Sequence, residues 1–368
     1  MDYRLTCTKC GHNEDDTRFR CKKCGSILEV KYRYAELGPS NIFKRNRKGI
    51  ARYINLVPVK ELATLGEGGT PLRRIRPKSM PYVDILLKLE TENPTKTFKD
   101  RGSAVEIAKA LELRAKTVCC ASTGNMGLSV AHYARHFGIR AVIFLSRGAN
   151  RAKVERIRSQ GARIAYVDGD FNSALRGAEA FANKRGAFLC GDYHFRKEGQ
   201  KTVIYEIAEQ TKGKMPDYLF VPVGNGTNFS GIYKGLMELK RYKAISKIPR
   251  MVAVQSEMCD PLVNAYRNKR RIEHVRPQTA ADAIAVGYPT FGFEVLAAIK
   301  STNGSAVSVS EDELKDAVRI LEEYGVYAEL GGGTGFAGFL RMYNQKSKVF
   351  RGKKVAIIIT GNNEGRFT

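Results

Sequence analysis

A chain of 368 residues with 43% hydrophobic residues can bury a core large enough for two or three domains. It has no run of about eighteen uncharged apolar residues, and its opening, Met1-Asp2-Tyr3-Arg4-Leu5-Thr6-Cys7, lacks the apolar centre of a secretion signal, so cytoplasmic residence without a membrane partner is expected. The formal net charge of +25 is spread over the whole chain, thickening only at 44–48 and 268–271 without interleaved aromatic residues, which argues against a specific nucleic-acid partner and points to a small anion.

The first pattern is Cys7-Thr8-Lys9-Cys10 and Cys21-Lys22-Lys23-Cys24, two C-x-x-C pairs, each followed by a glycine that lets the chain turn tightly. This spacing predicts a zinc-ribbon knuckle over 1–35, with Cys7, Cys10, Cys21 and Cys24 closing a structural tetrathiolate site. Cys119, Cys120, Cys190 and Cys259 are scattered, apolar in context, and read as core. The segment from Tyr32 to about Val59 is polar and basic, and reads as a connector with one short helix, before a catalytic body that begins near Leu65.

Next come an apolar strand at 83–89 and Glu92-Asn93-Pro94-Thr95-Lys96-Thr97-Phe98-Lys99-Asp100-Arg101-Gly102. Pro94 breaks regular structure there, and Ala and Leu recur at helical spacing over 103–111. Lys99 therefore opens a helix directly after a strand, where partial desolvation would make it an amine nucleophile toward an aldehyde. Short β-branched runs then alternate with helical stretches: strands at 117–121, 141–145, 163–167, 218–221, 250–254 and 355–359, helices at 127–137, 151–159 and 229–240. Such alternation predicts an α/β fold with parallel sheets, and ligands at the carboxyl ends of the strands.

Four strand-end loops are candidates. Ser122-Thr123-Gly124-Asn125-Met126-Gly127 could hold a carboxylate on its N–H groups and hydroxyls. Gly224-Asn225-Gly226-Thr227-Asn228 reads as a phosphate cradle at a helix start. Glu329 to Gly335 reads as a glycine loop preceding a helix, and Thr360-Gly361-Asn362-Asn363 ends the last strand. No Walker lysine follows these glycines, and no Gly-x-Gly-x-x-Gly stands at 224–228. A reactive lysine with one phosphate cradle and no nucleotide motif fits pyridoxal 5'-phosphate.

Several motifs together resemble the threonine synthases, pyridoxal-phosphate enzymes with the tryptophan-synthase-β type fold. They are the 21–30 knuckle, Leu65-Gly66-Glu67-Gly68-Gly69-Thr70-Pro71-Leu72, Asn93 to Gly102, Asp168 to Leu175, Arg196 to Thr202, and Thr279 to Ile284 with Gly287 and Pro289. The resemblance implies a fold type II enzyme of two open parallel-sheet α/β domains with the cofactor between them: a large domain of 36–90 and 200–368, a small one of 91–199, and a homodimeric assembly. It implies that Lys99 condenses with the cofactor's aldehyde, Asn125 meets its ring hydroxyl, Gly224, Asn225, Gly226, Thr227 and Asn228 hold its phosphate, and Thr360 its ring nitrogen. Ser122, Thr123 and Asn125 would hold the substrate carboxylate, and Lys96, Thr97, Arg101, Arg196 and Lys201 are the candidates for a substrate phosphate.

The implied reaction converts O-phospho-L-homoserine and water to L-threonine and phosphate. Lys99 removes the Cα proton, phosphate leaves from Cγ and water adds at Cβ. The chain departs from the family's usual pattern at Lys96-Thr97, where Gly-Ser is common, at Gly124 to Gly127, and after Thr360-Gly361. These departures lie near the substrate, so the nearest alternatives are cysteate synthase, acting on O-phosphoserine and sulfite, and a threonine or serine ammonia-lyase. A nucleic-acid-binding protein on an inactive enzyme body is the alternative of a different class, and the lysine with an intact phosphate loop argues against it.

Overall fold

The computed structural model describes residues 2–34, 42–122, 124–147, 149, 151–169 and 171–362. The knuckle strands come first, β1 (Tyr3–Cys7), β2 (Asn13–Glu14) and β3 (Leu28–Tyr32), then a 3-10 helix at Gly49–Leu56, β4 (Leu72–Ile75) and β5 (Asp84–Leu89). Alternation follows: α1 (Lys99–Glu112), β6 (Thr117–Ala121), α2 (Asn125–His136), β7 (Arg140–Ser146), α3 (Arg151–Arg158), β8 (Arg163–Val167), α4 (Phe171–Arg185), β9 (Phe188–Leu189), α5 (His194–Gln200) and α6 (Thr202–Gln210). The rest is β10 (Tyr218–Pro222), α7 (Thr227–Arg241), β11 (Arg250–Ser256), α8 (Pro261–Asn268), α9 (Gly292–Ser301), β12 (Ser305–Val309), α10 (Glu311–Glu323), α11 (Leu330–Phe350) and β13 (Lys354–Ile359).

Two compact units result, the first of 1–67 and 99–202, the second of 68–98 and 203–368. The first holds a parallel four-stranded sheet in the order β8-β7-β6-β9. Ala174, Ala178 and Ala182 recur every fourth residue of α4 and give it a flat face against Cys119 and Phe144. Helices α1 and α5 touch through glycines: a Cβ on Gly199 would lie 2.0 Å from the Arg101 carbonyl oxygen.

The knuckle sheet, order β2-β1-β3 and antiparallel, belongs to this unit and grips α5. Tyr32 donates to Glu198 at 2.6 Å, and Lys197 pairs with Glu29 at 2.5 Å. Arg20 pairs with Glu179 at 2.8 Å, and Phe19 meets Tyr193 edge to face.

The second unit has a six-stranded sheet, order β12-β11-β10-β13-β5-β4, parallel except for β4 at its edge. All five residues of β10 are buried, as expected of a central parallel strand covered on both faces. Helix α11 lies close over the sheet through glycines: a Cβ on Gly338 would come within 2.5 Å of Val254, and one on Gly335 within 3.2 Å of Ile357.

Four expectations are corrected. Residues 331–335 form no loop before a helix; they are part of α11 itself, their missing Cβ atoms allowing close approach to Ala283, Val318 and Gly361. Residues 42–67 group with the first unit and not with a large domain starting at 36, because Tyr133 donates to Glu67 at 2.7 Å and the Lys60 N–H to Glu112 at 2.5 Å. Residues 91–98 group with the second unit and not with a small domain of 91–199, tied to the end of β13 by Phe98 N–H to Thr360 at 3.0 Å. The edge expected at 199 to 200 falls at 202 to 203, so residues 200–202 stay with the first unit, and the edge at 35 to 36 lies outside the described residues.

Candidate active site

In the first unit, Lys99 is the first residue of α1, as expected, with its side chain 16% exposed. Burial pushes its ammonium pKa down, Asp192 at 4.0 Å opposes that shift, and the charge of Arg196 adds to it. The result is an amine held closer to its neutral, nucleophilic form than an exposed lysine.

Arg196, fully buried on α5, spreads its guanidinium over this corner. It donates to the carbonyls of Lys99 at 3.0 Å and Gly191 at 3.1 Å, to Ser103 at 3.2 Å, and to the carboxylate of Glu106. Glu106 also accepts the Gly191 N–H at 2.8 Å; burial pulls its carboxyl up to about 7 against the opposing pull of Arg196. Arg196 therefore clamps the backbone of Lys99 by a hydrogen bond, while its charge is balanced in a buried ion pair with Glu106.

The asparagine loop follows β6. Ser122 is buried, its Oγ accepts the Gly124 N–H at 3.3 Å, and Asn125, 9% exposed, begins α2. Gly127 brings the helix start close over the loop, since a Cβ there would lie 2.8 Å from the Ser122 carbonyl oxygen. Thr123 lies outside the described residues.

In the second unit, Gly224 to Asn228 follow β10 and open α7. Gly226 is left-handed at φ +87°, and a Cβ on it would meet Val295 at 2.9 Å and Phe291 at 3.2 Å. Asn225 fixes the turn from within, accepting the Thr290 N–H on its side chain at 2.6 Å and the Phe291 N–H on its carbonyl at 3.0 Å. Asn228 keeps a buried Nδ2 with no hydrogen-bond partner among the described residues. A buried unpaired donor at the start of a fifteen-residue helix, beside a glycine turn, fits a phosphate.

Thr360 directly follows β13 and is nearly buried, its hydroxyl 3.4 Å from the Gly331 carbonyl. Its own carbonyl accepts from Phe98 N–H and, at 3.3 Å, from the fully buried Thr97 hydroxyl. Asn362 N–H closes the strap on the Lys96 carbonyl at 2.9 Å. The segment that leads into Lys99 is thus laced to the end of the sheet. Upstream, the Asn93 side chain accepts the Gly68 N–H and donates to Glu90, both at 2.9 Å, which fixes the turn.

The cations expected to meet a substrate phosphate are placed unequally. Arg101 is fully buried and donates to Thr202 at 3.1 Å; Lys201 is fully buried, paired with Glu198 at 2.5 Å beneath the Tyr32 ring. Arg196 is committed as described, while Lys96 is exposed, at a left-handed φ of +63°. Sequence reasoning missed Asp192 and Glu106. The signal for Asp192 was weak, because β9, the strand before it, has only two residues. Glu106 gave none, looking like any helix-face charge.

At the front, the four predicted cysteines converge, with Sγ atoms all within 4.8 Å of one another. Cys7 and Cys24 are 3.4 Å apart, and Cys10 and Cys21 3.6 Å. Thiolates around one zinc at about 2.3 Å would stand slightly farther apart than this, so the cluster fits a tetrahedral ion. The other four cysteines are buried, as expected.

The family model for pyridoxal-phosphate dependent enzymes matches residues 63–361. The chain belongs to that family. It is 33% identical to a threonine synthase of Methanocaldococcus jannaschii, over 97% of this chain and 91% of the relative. A threonine synthase of Methanosarcina acetivorans is 34% identical over 98% and 91%. Among solved structures, maize serine racemase superposes with a TM-score of 0.69 at 24% identity, covering 80% of this chain and 89% of that one. A tomato (Solanum lycopersicum) threonine deaminase gives 0.69 at 21%, covering 81% and 80%. These likenesses establish the fold type II architecture for this chain. No helix among the described residues is long and apolar enough to cross a membrane.

Proposed function

We propose that the chain is a threonine synthase, converting O-phospho-L-homoserine and water to L-threonine and phosphate, with pyridoxal phosphate as cofactor. The observation that carries the chemistry is Lys99, an amine with a depressed pKa at the head of α1; the end-to-end likeness to threonine synthases supports the substrate. In the first unit Lys99 would hold the cofactor and Asn125 would face its ring hydroxyl. In the second, Gly224 to Asn228 would take its phosphate and Thr360 its ring nitrogen.

When bound, the cofactor supplies a sink for the electrons left at the substrate Cα. Lys99, partly neutral because it is desolvated, would take the Cα proton and later return one. Ser122, Thr123 and Asn125 would orient the substrate carboxylate, which fixes the Cα–H bond toward the lysine. Lys96, the exposed member of the expected cation set, is the first choice for the substrate phosphate, with Arg196 acting through its clamp on Lys99. The four front cysteines would hold a structural zinc, stiffening the sheet that grips α5, and a homodimer is the expected assembly.

Purified protein with added cofactor should show an absorbance band that Lys99→Ala loses, together with a fall in activity on the order of 10³-fold or more. Incubation with O-phosphohomoserine, O-phosphoserine and threonine, following phosphate and ammonia, decides the substrate. Phosphate from O-phosphohomoserine with threonine formed supports the proposal; ammonia from threonine alone would replace it with an ammonia-lyase.

A further inference from the structure

In the second unit the cofactor-facing loops sit at the carboxyl ends of β10 and β13. At the opposite ends of β5, β10 and β13 lies a groove of about 920 Å³ that the proposed reaction does not use. Strand β13 has six residues, so the groove is about 20 Å from Thr360 along the same strand.

The floor of the groove is apolar and buried, formed by Pro77, Met80, Val83 and Met215. Around it stand Arg76, Lys78, Lys214, Arg351, Lys353 and Lys354, and no ion pair holds any of these six among the described residues. The two acids in the wall are already neutralised, Asp84 by Arg74 at 2.8 Å and Asp217 by Lys247. Six like charges around one concavity repel one another, and an anion relieves that repulsion.

The walls are also fixed. Asp84 N–H donates to the Lys353 carbonyl at 3.0 Å, Gly352 N–H to Tyr82 at 2.8 Å, and Asp217 N–H to Lys354 at 2.7 Å. At the rim Tyr82 is 61% exposed, with the Arg351 guanidinium 4.7 Å from its ring centroid. A stacked arginine and tyrosine form a flat platform for a planar ring, with positive charge beside it.

We propose that this groove binds a nucleoside polyphosphate, its base on the Tyr82 and Arg351 platform and its phosphates among Lys78, Lys214, Lys353 and Lys354. One platform over a bounded concavity suits a single nucleotide; a nucleic-acid strand needs a series of them. The size is that of a small-molecule site.

The test is calorimetric titration of full-length protein saturated with pyridoxal phosphate, at about 0.15 M salt to screen non-specific attraction. The probes are ATP, inorganic tripolyphosphate and a single-stranded oligonucleotide. ATP should bind once per chain, and Lys353→Glu should weaken it at least about tenfold. Tyr82→Ala should weaken ATP severalfold while leaving tripolyphosphate unchanged. All these positions are at the surface, and thermal melts of the variants confirm that they fold. The proposal is overturned if ATP fails to saturate, if Lys353→Glu binds as before, if Tyr82→Ala affects both anions equally, or if only the oligonucleotide binds.

Discussion

Around Lys99 the first unit buries charge. Arg196 faces Glu106, Lys201 faces Glu198, and Asp192 stands near the ammonium itself. Around Gly226 the second unit relies on backbone groups, small residues and the amides of Asn225 and Asn228, and the buried pair of Lys88 with Glu206 serves instead to hold the Thr70 carbonyl. The difference fits the proposed function. An amine's reactivity is set by nearby charge and desolvation, whereas a phosphate is held by converging N–H groups and a helix end, which need space more than charge.

If this contrast is right, the two halves should fail differently. Glu106→Ala leaves Arg196 buried without its carboxylate, and should cost about 3–5 kcal/mol in urea unfolding. A loss under about 1 kcal/mol would mean that water reaches the pair. Gly226→Ala forces a side chain into a left-handed position against Val295. It should cost about 1–2 kcal/mol and weaken cofactor binding about tenfold, measured by fluorescence titration, with no change in the titration of Lys99.

Asp192→Asn should do the reverse: cofactor affinity nearly kept, titration changed. Asp192 raises the Lys99 pKa, so its removal lets burial depress the amine further. The pH profile of cofactor binding rate should move to lower pH in the variant. The sign for stability runs with it. The unfolded lysine keeps its proton up to about 10.5 and the folded one releases it earlier, so this residue's contribution to stability rises as pH climbs through the folded value toward the unfolded one. A profile unmoved by Asp192→Asn would break the idea that charge tunes the first unit's half.

The smallest effect is expected at Lys96. Its φ of +63° suits glycine, so Lys96→Gly should raise stability by about 1 kcal/mol in thermal unfolding. If Lys96 also meets the substrate phosphate, the Michaelis constant for the phosphorylated substrate should rise in the same variant. A gain in stability with unchanged kinetics would leave it a turn residue.

Much of this was legible in the chain. β6 and β8 fall on the residues their β-branched runs mark, and Lys99 begins a helix because Pro94 and the apolar run before it leave no other place for the turn. The four cysteines converge as their spacing implies, because two C-x-x-C turns, each closed by a glycine, can bring four sulfurs to one point. The glycines at 331–335 misled because glycine reads as a turn by default, while here they serve close packing inside a helix.

The sequence by itself determined the alternation of strands and helices, the lysine that opens α1, the glycine turn at 224–228 and the cysteine cluster, because each rests on local spacing and local backbone freedom. Only the tertiary structure decided which cations are committed. Arg101, Arg196 and Lys201 look alike in sequence, yet each is buried against partners as distant as residue 202 for Arg101, 106 for Arg196 and 32 for Lys201. Burial and pairing depend on what the fold brings alongside a side chain, which no local pattern records.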